Sequence, residues 1–211
     1  MASMEEAAKI RDVAARHAYV FDNGLSSPDF FDVEKRMASE EFGLIKERCD
    51  GADNICEVGC FTGLNLLCLA ELGKENLHGL DFVKGAVEWL LDEAGARRFR
   101  RKIHARSGTF GSGMDEDRCT LSYSDLFICF DVLEHQPNVG RFLSDVSYSL
   151  NQNGKALFLV PKGKNYNDCG HLAWFPDEEC LTNVLDYHFS VEECFELKTC
   201  QKLFACCKRR D

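Results

Sequence analysis

Glu57, Asp81, Asp131, Glu134 and His135 are the side chains of this 211-residue sequence whose types and spacing suit chemistry, and a glycine turn organises the first two. Ile55-Cys56-Glu57-Val58-Gly59-Cys60-Phe61-Thr62-Gly63 has the form of a strand running into a turn that opens a helix. Ile55 and Val58 are apolar at strand spacing, and Leu64, Leu66, Leu67, Leu69 and Ala70 continue at helical spacing. Gly59 and Gly63 allow a sharp turn and a close ligand approach, while the helix start leaves N–H groups without intrahelical partners. Ligands of the nucleoside kind bind at such turns. Eighteen residues beyond Gly63, Asp81 ends a second candidate strand, Gly79-Leu80-Asp81, at the place where an acidic side chain meets ribose hydroxyls.

A dinucleotide fingerprint requires glycines at positions 59, 61 and 64, and Phe61 and Leu64 occupy the second and third of these. The pyrophosphate reading weakens accordingly. No Gly-Lys-Ser/Thr phosphate loop occurs either. What remains is an acidic residue, one glycine two positions on, another four further, and an acidic end to the next strand. This arrangement resembles the cofactor site of the class I S-adenosylmethionine-dependent methyltransferases. Asp125-Leu126-Phe127-Ile128-Cys129-Phe130, followed by Asp131-Val132-Leu133-Glu134-His135, resembles the fourth strand of that family and its Asp-Val-Leu-Glu-His end. A helical stretch from Val139 to Leu150, a turn at Asn151-Gln152-Asn153-Gly154 and a buried strand from Ala156 to Val160 continue in the family's order. The resemblance covers roughly residues 51 to 211 and points to the small-molecule branch.

The resemblance implies S-adenosylmethionine as cofactor, with Glu57 and the glycine turn holding its methionine part and Asp81 its ribose. It assigns cofactor contacts to Glu57, Gly59, Cys60, Phe61, Gly63, Asp81, Phe82, Phe130 and Asp131. Two departures stand out. Phe61 replaces the middle glycine of the usual turn, where its ring narrows the cofactor slot, and Glu57 stands where Asp is common. Thr109 occupies the usual place of an adenine-binding acid, and Asp115, Glu116 and Asp117 follow in a glycine-rich loop, so the adenine contact stays open among them. A sulfonium methyl is already activated, and the protein must mainly align a nucleophile and exclude water. For a hydroxyl nucleophile a base helps, and His135 is the catalytic candidate because neutral imidazole suits that role near pH 7. His171, Trp174 and Phe175 lie in the following loop, which often covers substrate in the family.

These residues predict methyl transfer to a small-molecule acceptor, with O-methylation ahead of other acceptors. A cofactor-binding fold that serves as an inactive partner subunit and an NAD-dependent oxidoreductase are the alternatives. Asp131, Glu134 and His135, at i, i+3 and i+4, share one side of a helical turn as metal ligands would, but the same motif is common in metal-free members and no metal is expected. No Cys-x-x-Cys pair occurs among the twelve cysteines, leaving Cys169, His171 and Cys180 as the alternative zinc set. Cys56, Cys68 and Cys129 read as core residues.

The elements that must position these groups alternate between strand and helix from Gly51 onward. They predict an α/β fold, doubly wound and mostly parallel, with helices on both faces. The resemblance implies seven strands, the last antiparallel. Two strands over 195–197 and 203–207 suit that closing hairpin. Residues 1–50 form an N-terminal helical cap, with helical patterns over 4–21 and 33–48 around a turn-rich segment, and residues 51–211 form the cofactor-binding core. Composition is that of a globular chain, 45% hydrophobic and 28% charged, with no membrane-span run and no apolar signal core, so a cytoplasmic protein is expected. The net charge of −10 makes nucleic acid an unlikely partner, and the basic cluster from Arg97 to Arg106 reads as a solvated helix end. Oligomeric state is not encoded in any motif.

Overall fold

Seven strands form one sheet in the order β3-β2-β1-β4-β5-β7-β6, comprising β1 Asn54–Val58, β2 Asn76–Asp81, β3 Ile103–Ser107, β4 Ser124–Phe130, β5 Leu150–Pro161, β6 Phe189–Glu196 and β7 Lys202–Arg209. They belong to a computed structural model that describes residues 4–24, 26–111, 123–163 and 170–210. Strands β1 to β5 pair in parallel, and β7 runs antiparallel to both β5 and β6. The mostly parallel seven-stranded sheet with an antiparallel last strand is therefore as expected.

Alternation along β4 explains why both faces are covered. Leu126, Ile128 and Phe130 join one apolar cluster with Phe42, Ile45, Leu66 and Leu90, while Phe127 and Cys129 join another with Phe142, Val146, Leu181 and Leu185. The first cluster draws on helices α2 Val33–Met37, α3 Glu40–Arg48, α4 Leu64–Glu71 and α5 Lys84–Ala96, and the second on α6 Val139–Ser149 and α7 Glu178–Leu185. Helix α1 spans Met4–Asp22. Among the described residues no helix is long and apolar enough to cross a membrane.

Three local expectations change. The helical pattern over 33–48 is two helices, because Ser39 caps α3 by accepting the Phe42 N–H at 3.1 Å while donating to the Arg36 carbonyl at 2.7 Å. The turn expected at Asn151–Gly154 lies inside β5, where the pairing with β4 jumps from Ser124↔Leu150 to Leu126↔Lys155. Asn151 there donates to Asp125 Oδ1 at 2.5 Å and the Tyr123 carbonyl at 3.1 Å, satisfying an interrupted ladder from the side. The closing hairpin is longer than expected, its strands spanning 189–196 and 202–209.

Gly63 begins α4 at φ 66°, and a Cβ there would lie 2.4 Å from Leu90 Cδ2 of α5. Gly63→Ala should therefore destabilise the protein by about 2–4 kcal/mol, from left-handed strain and overpacking. In chemical denaturation, Gly63→Ala with Leu90→Ala should lose less than the sum of the two single losses. Strict additivity would show that the two positions do not share space.

Candidate functional site

The ends of β1 and β2 bring Glu57 and Asp81 to the glycine turn, both nearly buried at 4% and 6% exposure. The turn is closed on itself. Gly59 and Cys60 N–H groups donate to the Leu80 carbonyl at 2.8 and 3.2 Å, and Phe61 N–H donates to Asp81 Oδ2 at 2.9 Å. Asp81 Oδ1 accepts from Val83 N–H at 2.8 Å, so the carboxylate ties the turn to the start of α5 and keeps further lone pairs on each oxygen. The glycines serve packing as much as approach: a Cβ on Gly59, at φ 71°, would lie 2.1 Å from Val132 Cγ2. The Cys60 side chain is buried, and a Cβ on Gly79 would lie 3.0 Å from its sulfur, so Cys60 can meet a ligand only through its backbone.

Phe61 adopts φ 48° and turns its ring toward the N-terminal segment, edge-on to Phe21 at 5.5 Å and to Phe30 at 5.2 Å. Thr62 Oγ1 donates to the Phe30 carbonyl next to it. The residue that departs from the family turn is thus the docking point of Phe21 and Phe30. Phe82 meets His17 of α1 edge-on at 5.6 Å, and Phe130 packs on Phe204 at 6.5 Å.

A chain of polar contacts underlies the turn. Asn65, in the apolar run Leu64–Ala70 of α4, donates to Glu57 Oε1 at 2.5 Å and accepts from Arg36 Nε at 2.7 Å. Arg36 also pairs with Glu41, Glu41 accepts from Lys202 at 2.8 Å, and Lys202 reaches Asp131 Oδ2 at 2.6 Å. Burial works to raise the Glu41 carboxyl, but the adjacent Lys202 and Arg36 hold it below its ordinary range. Burial likewise works to lower Lys202, yet Asp131 and Glu41 raise it. Glu57 is different: burial lifts it to about 7 against the opposing pull of Asn65 and Arg36. Asp81 is lifted by burial to about 6 despite its two backbone donors. Among the described residues, Glu57 Oε2 is buried without a hydrogen-bond partner. Such an atom suits a bound cation.

His135 follows β4 in the short 3-10 turn Leu133–His135, with Nδ1 2.9 Å from the Gly170 carbonyl. Its ring lies 4.9 Å from that of His171 and 5.4 Å from that of His17. Asp131 is committed to Lys202 at φ 54°, so the trio suggested by sequence spacing, Asp131 with Glu134 and His135, is not the one assembled; ligand atoms of Glu134, His135 and His171 lie within 4.8 Å of one another. Cys180 is not in that group, and Cys169 lies outside the described residues, as do Asp115, Glu116 and Asp117. Trp174 and Phe175 line a cavity of about 450 Å³ with Val139, Val184, Tyr187 and His188, and none of the cofactor candidates lines it. In the basic cluster, Arg97 pairs with Glu93 at 2.6 Å and Glu71 at 3.2 Å, as a solvated helix end does.

Sequence reasoning missed Arg36, Glu41, Asn65 and Lys202. Asn65 carried a signal, a lone amide in the run Leu64-Asn65-Leu66-Leu67, whereas Arg36, Glu41 and Lys202 are ordinary charges in sequence.

A family model described as "Methyltransferase domain" matches residues 30–190. Among solved structures, an S-adenosylmethionine-dependent methyltransferase from Aquifex aeolicus is 12% identical with a TM-score of 0.66, covering 89% of this chain and 96% of that one. The geranyl diphosphate C-methyltransferase of Streptomyces coelicolor A3(2), determined with Mg2+, geranyl diphosphate and S-adenosyl-L-homocysteine, is 10% identical with a TM-score of 0.65, covering 83% and 79%. A candidate O-methyltransferase from Nostoc punctiforme PCC 73102 is 12% identical with a TM-score of 0.64; it covers 86% of this chain, which spans only 59% of that one. These likenesses concern the fold. No curated protein sequence matches the chain significantly.

The raised carboxyls make stability depend on pH. Glu57 binds its proton up to about pH 7 when folded and releases it near 4.5 when unfolded, so its contribution is present at low pH and lost as pH rises through 7. Glu57→Gln should raise the melting temperature of the ligand-free protein by several degrees at pH 8 and by much less at pH 5.5. Equal shifts at both values would contradict a raised Glu57.

Proposed function

This chain belongs to the methyltransferase domain family, and we propose that it moves the methyl group of S-adenosylmethionine onto a hydroxyl of a small-molecule acceptor. The observation that carries the reading is the buried pair Glu57 and Asp81 flanking the glycine turn, with Glu57 Oε2 left for a cationic group. Glu57 suits the ammonium of the cofactor's methionine part, and the remaining lone pairs of Asp81 suit ribose hydroxyls. An NAD site would instead need a turn open to pyrophosphate, and here the first three N–H groups of the turn are already engaged.

S-adenosylmethionine, when bound, supplies a methyl already activated by its positive sulfur. The chain's own contribution is alignment and dryness. Phe21, Phe30 and Phe61 form an apolar wall over the turn, and Asp131, locked by Lys202, fixes the end of β4. His135 takes the acceptor's proton. Its Nδ1–H donates to the Gly170 carbonyl, which leaves Nε2 with the lone pair a hydroxyl proton needs. The site is read as cytoplasmic and directed at a small molecule, in line with the chain's negative charge.

Calorimetric titration with S-adenosylhomocysteine and with NAD tests the cofactor assignment: homocysteine-adduct binding without NAD binding is expected, and the reverse would overturn it. His135→Ala should lower turnover of a hydroxyl acceptor by about 10²–10⁴-fold and leave cofactor affinity nearly unchanged. Undiminished turnover would remove His135 from the chemistry.

A further inference from the structure

Three side chains converge where the end of β4 meets the loop that follows β5. Glu134 and His135 come from the 3-10 turn and His171 from the loop, and each offers a ligand atom within 4.8 Å of the others. We propose that Glu134, His135 and His171 bind one divalent transition-metal ion beside the methyl-transfer site. One carboxylate and two imidazoles form a donor set suited to zinc, cobalt or ferrous iron, whereas magnesium prefers oxygen ligands throughout.

The surroundings hold these ligands in place. The Gly170 carbonyl engages His135 Nδ1 at 2.9 Å, the kind of outer contact that fixes a ligating imidazole and leaves its other nitrogen for the ion. The Glu134 carbonyl accepts two N–H groups from the opposite segment, Leu172 at 2.7 Å and Ala173 at 3.0 Å, which pins His171 against the turn. Glu134 is 2% exposed, which keeps this ligand of the three away from bulk water. The contrast with the sequence expectation is specific. Spacing alone nominated Asp131 as the third ligand, but Asp131 is held by Lys202, and the fold supplies His171 instead, thirty-six residues along the chain from His135.

The ion's place in the reaction rests on the methyl-transfer reading. With the ion bound, His135 is a ligand in place of the base of the metal-free reading; an open coordination position would take an oxygen of the acceptor and favour its ionised form, and the nearby His17 would accept the released proton. Ion binding itself does not depend on that reading and is measured without cofactor or acceptor.

Untagged protein treated with EDTA and titrated with Co2+ should take up one ion per chain with a visible absorption band, displaced by Zn2+ and not by excess Mg2+. His171→Ala, a change at a half-exposed loop position, should weaken Co2+ binding at least about tenfold, since loss of a ligand costs no less than loss of an outer contact. His188→Ala should leave it unchanged. A stoichiometric band that His171→Ala does not weaken, or no band at all, would overturn the proposal. Thermal unfolding of each variant confirms the fold, and Glu134→Gln provides a second ligand removal with the same expected loss. Co2+ binding without S-adenosylhomocysteine binding would support the ion site and count against the methyl-transfer reading alone.

Discussion

The contact on which the site depends is the hydrogen bond from Asn65 to Glu57. A glutamate that is 4% exposed at the end of a central strand is costly unless something holds it, and a single amide does so on one oxygen only. The amide is itself fixed by Arg36, whose charge is shared with Glu41, and Glu41 is shared with Lys202 and through it with Asp131. Six residues from α2, α3, β1, α4, the end of β4 and the start of β7 therefore form one connected polar path beneath the turn. The free oxygen of Glu57 is the end at which a ligand's positive charge would complete it.

This constraint gives the N-terminal segment its place. Arg36 and Glu41 lie in α2 and α3, ahead of the first strand, so the carboxylate at the centre of the sheet is oriented from outside the strand and helix alternation. Phe61 contributes the apolar half of the same attachment through edge-on contacts with Phe21 and Phe30. A non-glycine residue at φ 48° is held there by contacts on both sides: its N–H on Asp81 and its ring on the segment that covers it. Polar and aromatic contacts thus close one side of the turn, while the histidines gather on the side where the β4 and β5 loops meet.

The sheet, its covering helices and the two acidic strand ends were legible in sequence because each rests on local pattern: apolar runs of strand length, helical spacing and glycine turns. The roles of Gly59 and Gly63 were read through ligand approach, and the fold adds a steric reason, Val132 and Leu90 filling the places a Cβ would take. Asn151–Gly154 reads as a turn from composition, yet it lies within a strand, where the Asn151 side chain bonds Tyr123 and Asp125. Arg36, Glu41 and Lys202 were not legible at all. Their meaning lies in a meeting of elements up to 161 positions apart, and a charged residue on a helix or strand end looks the same in sequence whether it is solvated or buried.

The most direct measurement of the central claim is the calorimetric affinity of S-adenosylhomocysteine for Arg36→Met beside the unaltered protein, at pH 8 where Glu57 is ionised. If Arg36 orients Asn65 and through it Glu57, affinity should fall at least about tenfold, or ~1.4 kcal/mol, in a variant that still unfolds cooperatively. Unchanged affinity in such a variant would contradict the dependence of the cofactor site on the buried polar path.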